Sequence, residues 1–203
     1  MGYQDDVLIH AATKIEHDER LNAVLTKLSQ INMKLNKDKC VYSQTQLEFL
    51  GHLITPQGCL PDPAKVQAIA QLPDPTAENL RSVVGMVNYL GRFVPNLQSI
   101  MKPINDLLKS DVEFVWGSSQ SEAFNKVKTL LTKAPVLSFF DPKLPTVLSC
   151  DASSYGVGSV LLQEHDGQLR PIAFASRMLS TSEQHYAQIE KECLSCTWAC
   201  EKF

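Results

Sequence analysis

The sequence lacks a long hydrophobic run, an excess of basic charge and a leader-like start. No apolar stretch approaches the ~18 residues of a membrane-spanning helix, and two acids follow the first four residues where a secretory signal would be basic and apolar. Nineteen Lys and Arg against 22 Asp and Glu give a formal charge of −3, which excludes nucleic-acid binding through overall basicity. We therefore expect an intracellular protein, in the cytoplasm or nucleus, with no membrane contact.

Cysteine is also scarce and irregularly spaced. The six cysteines are too sparse in 203 residues for the disulfide scaffold of a small secreted domain. With 44% hydrophobic and 20% charged residues, the composition is that of an ordinary globular chain. The length allows one large domain or two small ones, and either can bury a core.

Two adjacent carboxylates stand near the start of the chain. Asp5 and Asp6 follow Tyr3 and precede an apolar run, residues 7–9, that predicts a strand. Neighbouring carboxylates at a turn repel each other unless a cation lies there. Hard divalent ions such as Mg²⁺ prefer carboxylate and phosphate oxygens, so a metal site is one interpretation. The alternative, a solvated turn with two surface acids, is the commoner role of such a pair.

The middle of the chain predicts a small helical module. Two identical Leu-Pro-Asp-Pro tetrads each place an Asp, which caps helices, next to a proline, which is tolerated in a first turn. Together with the apolar spacing they predict four helices, over residues 64–71, 77–92, 97–109 and 120–133. Residues 77–133 carry seven Lys or Arg against five acids. Contacts with nucleic-acid phosphates, or merely a solvated helix face, are predicted for Arg81, Arg92 and Lys102.

The last third changes to the pattern of strands followed by a helix. Strands are predicted over residues 146–151, 156–163 and 170–176, with a hairpin turn at Asp166 and Gly167. The spacing of steps four, three and four assigns the apolar side of the helix to Ile189, Cys193, Cys196 and Cys200, with Trp198 off this stripe. We expect these cysteines in the core, because a free cysteine behaves as a small hydrophobe and a structural zinc site needs four ligands.

Several longer stretches resemble one family. Residues 3–6, Y-Q-D-D, resemble the Y-x-D-D box of reverse transcriptases, and the resemblance to gypsy-type LTR retrotransposon polymerases continues along the chain. The further stretches are MKLNKDKC at 33–40, LEFLGHLI at 47–54, LRSVVGMVNYLGRFVP at 80–95, DASSYGVGSVLLQ at 151–163, RPIAFASR at 170–177 and YAQIEKE at 186–192. Leu90 and Gly91 depart from the family pattern, which usually has Tyr and Arg there.

The resemblance implies a multi-part α+β fold. Its parts would be a C-terminal palm remnant with a primer-grip-like hairpin over 1–58, a helical thumb and connection over 59–134, and the N-terminal part of an RNase H-like α/β domain over 135–203. The family activities are RNA-directed DNA polymerisation and cleavage of RNA in RNA–DNA hybrids. The implied cofactor is Mg²⁺ in two-metal sites, and the implied partner is a template-primer or hybrid duplex.

The resemblance also assigns roles to particular residues. Asp5 and Asp6 would be catalytic metal ligands of the polymerase, and Asp151 and Glu192 the first two of the four RNase H carboxylates. Nucleic-acid contacts are implied for Tyr3 and for the F-L-G-H turn of Phe49, Leu50, Gly51 and His52. Taken alone, Phe49 and Leu50 would equally be strand residues facing a core, and Asp151 an ordinary strand-end acid.

In the family, a third polymerase Asp lies upstream of Tyr3, and the last two RNase H carboxylates lie downstream of Phe203. We therefore expect the isolated chain to hold incomplete sites, to be inactive or very weakly active, and to need other portions of a polyprotein. The alternative is a non-catalytic retroelement remnant. Such a remnant would bind nucleic acid or a protein partner through the helical module.

Overall fold

The computed structural model describes residues 2–3 and 5–203 and forms two compact units, Met1–Thr45 and Gln46–Phe203. In the first unit, strand β1 (Gly2–Tyr3) pairs antiparallel with strand β2 (Asp6–Val7). Helix α1 (Lys14–Gln30) follows, capped by the Thr13 side chain, which accepts a hydrogen bond from the Glu16 backbone N–H. A short 3₁₀ turn over Lys37–Lys39 ends the regular structure of this unit.

The second unit begins with a three-stranded antiparallel sheet. Its strands are β3 (Leu47–Phe49), β4 (His52–Thr55) and β5 (Gly58–Pro61), in the order β3-β4-β5. The backbone of Cys59 in β5 exchanges two hydrogen bonds with that of Leu137, at 2.7 and 2.9 Å. The next residue, Ser138, donates its N–H to the Pro171 carbonyl at 2.8 Å. Gly58 has to be glycine at this contact, because a Cβ there would overlap the Leu137 carbonyl and the residue has a φ of +142°.

Five helices and one 3₁₀ turn form the largest core of the second unit. They are α2 (Pro63–Gln71), α3 (Leu80–Tyr89), a 3₁₀ turn (Gly91–Phe93), α4 (Leu97–Ile100), α5 (Lys102–Asp106) and α6 (Ser118–Thr132). Their fully buried side chains include Ile69, Leu80, Val83, Val87, Leu97, Ile104, Phe124, Val127 and Leu131. The helical module predicted from the apolar spacing is therefore present, and its apolar stripes face one another.

Only the first Leu-Pro-Asp-Pro tetrad begins a helix directly. Asp62 caps α2 by accepting from the Ala64 N–H at 2.8 Å, as expected. The start predicted at residue 77 is wrong, since α3 begins at Leu80. The Asp74 carboxylate accepts instead from the Ser121 hydroxyl at 2.8 Å, and is thereby engaged with α6 rather than with the helix that follows it.

A second three-stranded antiparallel sheet follows the helices. Its strands are β6 (Thr146–Ala152), β7 (Gly156–His165) and β8 (Gln168–Met178), in the order β6-β7-β8. The predicted hairpin turn is confirmed, because Asp166 and Gly167 have φ values of 53° and 76° between paired strands. Helix α4 contacts β7 and β8, while helix α8 (Gln188–Lys202) contacts β6 and β7 after the short helix α7 (Thr181–Gln184).

The predicted inner face of α8 is wrong. Ile189 is 73% exposed, and the three cysteines of the predicted stripe are exposed as well. The residues that α8 buries are Lys191, Ser195 and Ala199, with Leu194 and Trp198 partly buried beside them.

Hydrogen bonds of Ser195 orient α8, and the spacing of hydrophobic residues cannot predict them. The Ser195 hydroxyl donates to the carbonyl oxygens of Asp151 at 3.0 Å and Gly158 at 3.3 Å. Small residues such as Ser195 and Ala199 allow the helix backbone to approach the sheet closely. Trp198, expected off the core side, lies against the buried cluster of Ala152 and its neighbours.

In the part of the chain that the structure describes, no helix is both long enough and apolar enough to cross a membrane.

Glu183 provides a test of the structure between β8 and α8. Its carboxylate accepts two hydrogen bonds from Arg177, at 2.8 and 2.9 Å, and one from the Ser180 N–H at 2.7 Å. Arg177 first, and then Ser180, lower the pKa of Glu183 to about 2. Because the folded-state pKa is depressed, the stabilisation is present above the ordinary carboxyl pKa and is lost as the pH falls toward 2.

We expect Glu183→Gln to lower the free energy of unfolding at pH 7 by about 1 kcal/mol. The deficit should shrink progressively below pH 4.5. Urea unfolding across this pH range measures it, with Glu201→Gln on the exposed side of α8 as the matched control. A deficit that is independent of pH would contradict the assignment.

Candidate functional site

The two adjacent carboxylates lie at the end of the first hairpin. Tyr3 pairs with Asp6 across β1 and β2, and Asp5 lies in the turn between them. Gln4, the remaining residue of the Y-x-D-D box, lies outside the described residues. The side chains of Tyr3, Asp5 and Asp6 are exposed. The hairpin therefore presents two carboxylates and an aromatic ring at one surface position.

The F-L-G-H hairpin is a tight turn between β3 and β4. Phe49 pairs with His52, and both turn residues have positive φ, 48° at Leu50 and 66° at Gly51. Such a turn matches the twist of the flanking strands, but the left-handed conformation is uncommon for a leucine. The Leu50 carbonyl accepts a hydrogen bond from the Tyr89 hydroxyl, which lies at the end of α3.

Aromatic rings support the hairpin from the helical module. The His52 ring stacks on that of Tyr89, with centroids 5.5 Å apart and an interplanar angle of 15°. The His52 and Phe93 rings are in a T-shaped arrangement, with centroids 5.4 Å apart and an interplanar angle of 63°. The Nδ1 atom of His52 is buried without a hydrogen-bond partner among the described residues. Burial first, and then the charges of Arg92 and Lys65, lower the pKa of His52, so its neutral form is favoured.

Two cationic side chains lie near this cluster. The Lys65 ammonium is 4.5 Å from the centroid of the Tyr89 ring, and the Arg92 guanidinium carbon is 5.9 Å from that of Phe93. A Cβ atom on Gly51 would overlap the Lys65 ammonium and the Tyr89 hydroxyl. Neither Lys65 nor Tyr89 is a candidate from the sequence alone. Tyr89 lies inside the 80–95 stretch, but the position of Lys65 depends on how α2 meets α3.

An apolar groove adjoins the cluster. It has a volume of about 360 Å³ and is lined by Lys65, Ala68, Ile69, Gly85, Met86 and Tyr89. Gly85 leaves open space on its side of α3, since a Cβ there would meet no atom within 4 Å.

The three predicted phosphate contacts differ in their surroundings. Arg81 and Arg92 are exposed. Lys102 is half-buried, forms an ion pair with Asp106 at 2.6 Å, and lies 4.5 Å from the centroid of the Tyr155 ring. Lys102 is therefore already engaged with a carboxylate, which it shares with Lys109, whereas Arg81 and Arg92 form no ion pair in the described part of the chain.

The second carboxylate pair belongs to β6 and α8. Asp151 is the next-to-last residue of β6 and is exposed, and Glu192 is half-buried on α8. The Gln188 amide donates both to the Ala152 carbonyl and to a Glu192 carboxylate oxygen, each at 2.8 Å. Gln188 and Ser195, one turn before and one turn after Glu192, thus hold this face of α8 against the strand end that carries Asp151.

The donor atoms of both pairs are of the kind that hard divalent cations prefer. Among the described residues, however, no three His, Cys, Asp or Glu side chains converge on one metal position. Mg²⁺ is commonly held by one or two carboxylates together with substrate phosphates, so the pairs fit such an ion as partial sites.

Burial, followed by the thiol of Cys196, raises the pKa of Cys150 to about 11, so Cys150 beside Glu192 is a neutral thiol.

Comparisons with known proteins match two parts of the chain. Residues 1–54 match the reverse transcriptase (RNA-dependent DNA polymerase) family, and residues 116–203 match the RNase H-like domain found in reverse transcriptase. The two matches, in this order, are consistent with a reverse transcriptase and RNase H fragment of a retrotransposon Pol polyprotein. The α+β fold of the chain agrees with this family.

Particular relatives are transposon polyproteins. The chain is 38% identical to the retrovirus-related Pol polyprotein from transposon 297 of Drosophila melanogaster, over 99% of this chain and 19% of that protein. It is 35% identical to the transposon Tf2-3 polyprotein of Schizosaccharomyces pombe, over 95% of this chain and 15% of that protein. The chain therefore spans less than a fifth of the length of each of these relatives.

Solved structures of foamy viral protease-reverse transcriptase also resemble the chain. One, in complex with ds DNA, has a TM-score of 0.82 at 26% identity and covers 95% of this chain and 34% of that one. Another, in complex with RNA/DNA hybrid, has a TM-score of 0.80 at 26% identity, covering 95% of this chain and 26% of that one.

Two glycines of the same surface give a matched test of the hairpin geometry. We expect Gly51→Ala to destabilise the protein by about 1–2 kcal/mol, because alanine is strained at positive φ and its Cβ displaces Lys65 and Tyr89. Gly85→Ala, within α3 and facing open space, should stabilise by about 0.5–1 kcal/mol through helix propensity. Urea unfolding measures both, and effects of the same sign would contradict this description of the turn.

Proposed function

We propose that the chain supplies part of an RNA-directed DNA polymerase with an attached RNase H-like domain. Nucleotidyl transfer and cleavage of RNA in hybrids are activities of the whole polyprotein. The observation that carries the proposal is the likeness, over 95% of the chain, to reverse transcriptase structures that hold ds DNA or RNA/DNA hybrid. Within it, residues 1–58, 59–134 and 135–203 correspond to the palm, the thumb and connection, and the RNase H-like parts.

In the polymerase part, Asp5 and Asp6 hold Mg²⁺ and Tyr3 lies beside the nucleic acid. Support comes from the exposed hairpin, which presents both carboxylates at one end. The bound metal supplies charge stabilisation for the reacting phosphate oxygens. The protein side chains orient the ion, and its further ligands come from nucleic-acid phosphates, water and other parts of the polyprotein.

In the RNase H-like part, Asp151 and Glu192 hold Mg²⁺ in the same way. The hydrogen bonds of Gln188 and Ser195 support this role, because they hold the helix that carries Glu192 to the end of the strand that carries Asp151. Gln188 also orients the Glu192 carboxylate by donating to one of its oxygens. The other oxygen of Glu192 then remains available as a metal ligand.

The F-L-G-H hairpin contacts the primer strand. Leu50, 36% exposed, presents its side chain at the turn, while His52 is held in its neutral state within the aromatic cluster. Arg81 and Arg92 contact phosphates. Lys102 contributes less to this binding, because its ion pair with Asp106 must first be weakened.

Binding to a short RNA–DNA hybrid, measured by fluorescence anisotropy at several salt concentrations, tests the proposal. Log affinity should fall linearly with log salt, because bound phosphates release counterions. Arg81→Gln should reduce the magnitude of the slope by about 1, and Lys102→Gln by clearly less. Binding that does not depend on salt, or an effect of Lys102→Gln larger than that of Arg81→Gln, would contradict the proposed phosphate contacts.

Primer extension with Mg²⁺ separates polymerisation from binding. If the chain carries out template-dependent synthesis, and Asp5→Asn abolishes it, this result would support catalysis within these 203 residues. Salt-dependent binding without synthesis would assign them a binding role, with catalysis left to the whole polyprotein. Lys126→Gln, an exposed substitution on α6, serves as the control in both assays.

A further inference from the structure

Three elements converge on the turn of the F-L-G-H hairpin. Lys65 comes from α2, Tyr89 from the last turn of α3, and Arg92 from the 3₁₀ turn that follows. We refer to these three side chains as the hairpin brace. Tyr89 is the centre of the brace, because its hydroxyl donates to Leu50, its ring stacks on His52, and the Lys65 ammonium lies over it.

Lys65 differs from two other engaged lysines of this unit. Lys102 and Lys109 both form ion pairs with Asp106, at 2.6 and 2.7 Å. Lys65 is exposed and forms no ion pair with a carboxylate in the part of the chain that the structure describes. Its ammonium is held by the Tyr89 ring and lies where only a glycine at position 51 leaves room. The protein thus positions this charge without neutralising it.

We propose that Lys65 contacts a backbone phosphate of the bound duplex beside the hairpin turn, and that Tyr89 is the positioning residue for both Lys65 and the turn. This inference rests on the nucleic-acid binding proposed above and adds two residues to it. A lysine side chain loses rotamer entropy when it is fixed in one conformation. A cation over an aromatic face is attracted to the ring electrostatically. Tyr89 therefore offsets part of the ordering cost before the phosphate arrives.

Positive charges of the hairpin brace lie close to the hairpin turn. Both Lys65 and Arg92 lower the pKa of His52 in addition to its burial, so both charges lie near the hairpin. The Asp62 carboxylate acts on the pKa of His52 in the opposite direction, but neither cation forms an ion pair with a carboxylate in the part of the chain that the structure describes. A phosphate has the charge and the acceptor oxygens for this position, and it requires no particular base.

Hybrid binding by the 203-residue chain over a range of salt concentrations tests Lys65. Lys65→Gln should weaken binding at low salt by about tenfold and reduce the magnitude of the salt slope by about 1. Lys65→Arg should keep the slope, since it retains the charge. Lys126→Gln removes an exposed lysine from α6 and should change neither quantity.

Tyr89→Phe tests the positioning role separately. Phenylalanine keeps the ring beneath Lys65 but removes the hydrogen bond to Leu50. We expect affinity to fall several-fold with an unchanged salt slope, because the number of phosphate contacts stays the same. Tyr186→Phe, an exposed tyrosine elsewhere in the unit, should leave affinity unchanged.

The outcomes separate this inference from the proposed function. Absence of salt-dependent binding by the unsubstituted chain would overturn both. Normal salt-dependent binding combined with an unchanged slope in Lys65→Gln would overturn only the role of Lys65. Equal losses in Lys65→Gln and Lys65→Arg would show that keeping the positive charge does not keep the binding, and would overturn it as well. Unchanged affinity in Tyr89→Phe would overturn the role of the Tyr89 hydroxyl in positioning the turn.

Discussion

The left-handed turn at Leu50 and Gly51 is the constraint on which the nucleic-acid surface depends. A leucine in this conformation costs about 1–2 kcal/mol, so the surrounding structure has to hold it there. The Tyr89 hydroxyl does so by binding the Leu50 carbonyl, and the same ring carries the stacked His52. Tyr89 is placed in turn by the buried apolar side of α3. The hairpin tip is thus connected through Tyr89 to the helical core behind it.

Local patterns predicted much of the secondary structure. Apolar alternation indicated β6 to β8, and the Asp-Gly pair indicated the turn between β7 and β8, because both depend on neighbouring residues only. The face that α8 buries could not be predicted in this way. A hydrophobicity pattern assigns the cysteines inward, whereas the helix is oriented by Ser195 bonding to backbone carbonyls of two strands. That interaction exists only after the strands have formed.

Some candidate functional residues could likewise be found from the sequence, and others only from the structure. Asp5 and Asp6 are adjacent in sequence and lie in a motif, and Asp151 and Glu192 lie in two recognisable stretches, so the sequence alone made them candidates. Their metal-binding roles stay predictions. Lys65 carries no motif and reaches the hairpin from a different helix. Lys102 forms an ion pair with Asp106, and Arg81 forms none among the described residues, a difference that is likewise visible only when side chains are placed.

The backbone bridge between Cys59 and Leu137, continued by Ser138 to Pro171, has a consequence for how a long ligand would be held. It joins the sheet of the F-L-G-H hairpin to β8 through main-chain hydrogen bonds, which do not require particular side chains apart from the glycine at position 58. The helical module between residues 59 and 137 is therefore a loop closed at its base. Changes within this loop need not alter the spacing between the hairpin and the Asp151–Glu192 pair. Main-chain geometry would then set the distance along a bound duplex between the hairpin and the Asp151–Glu192 pair.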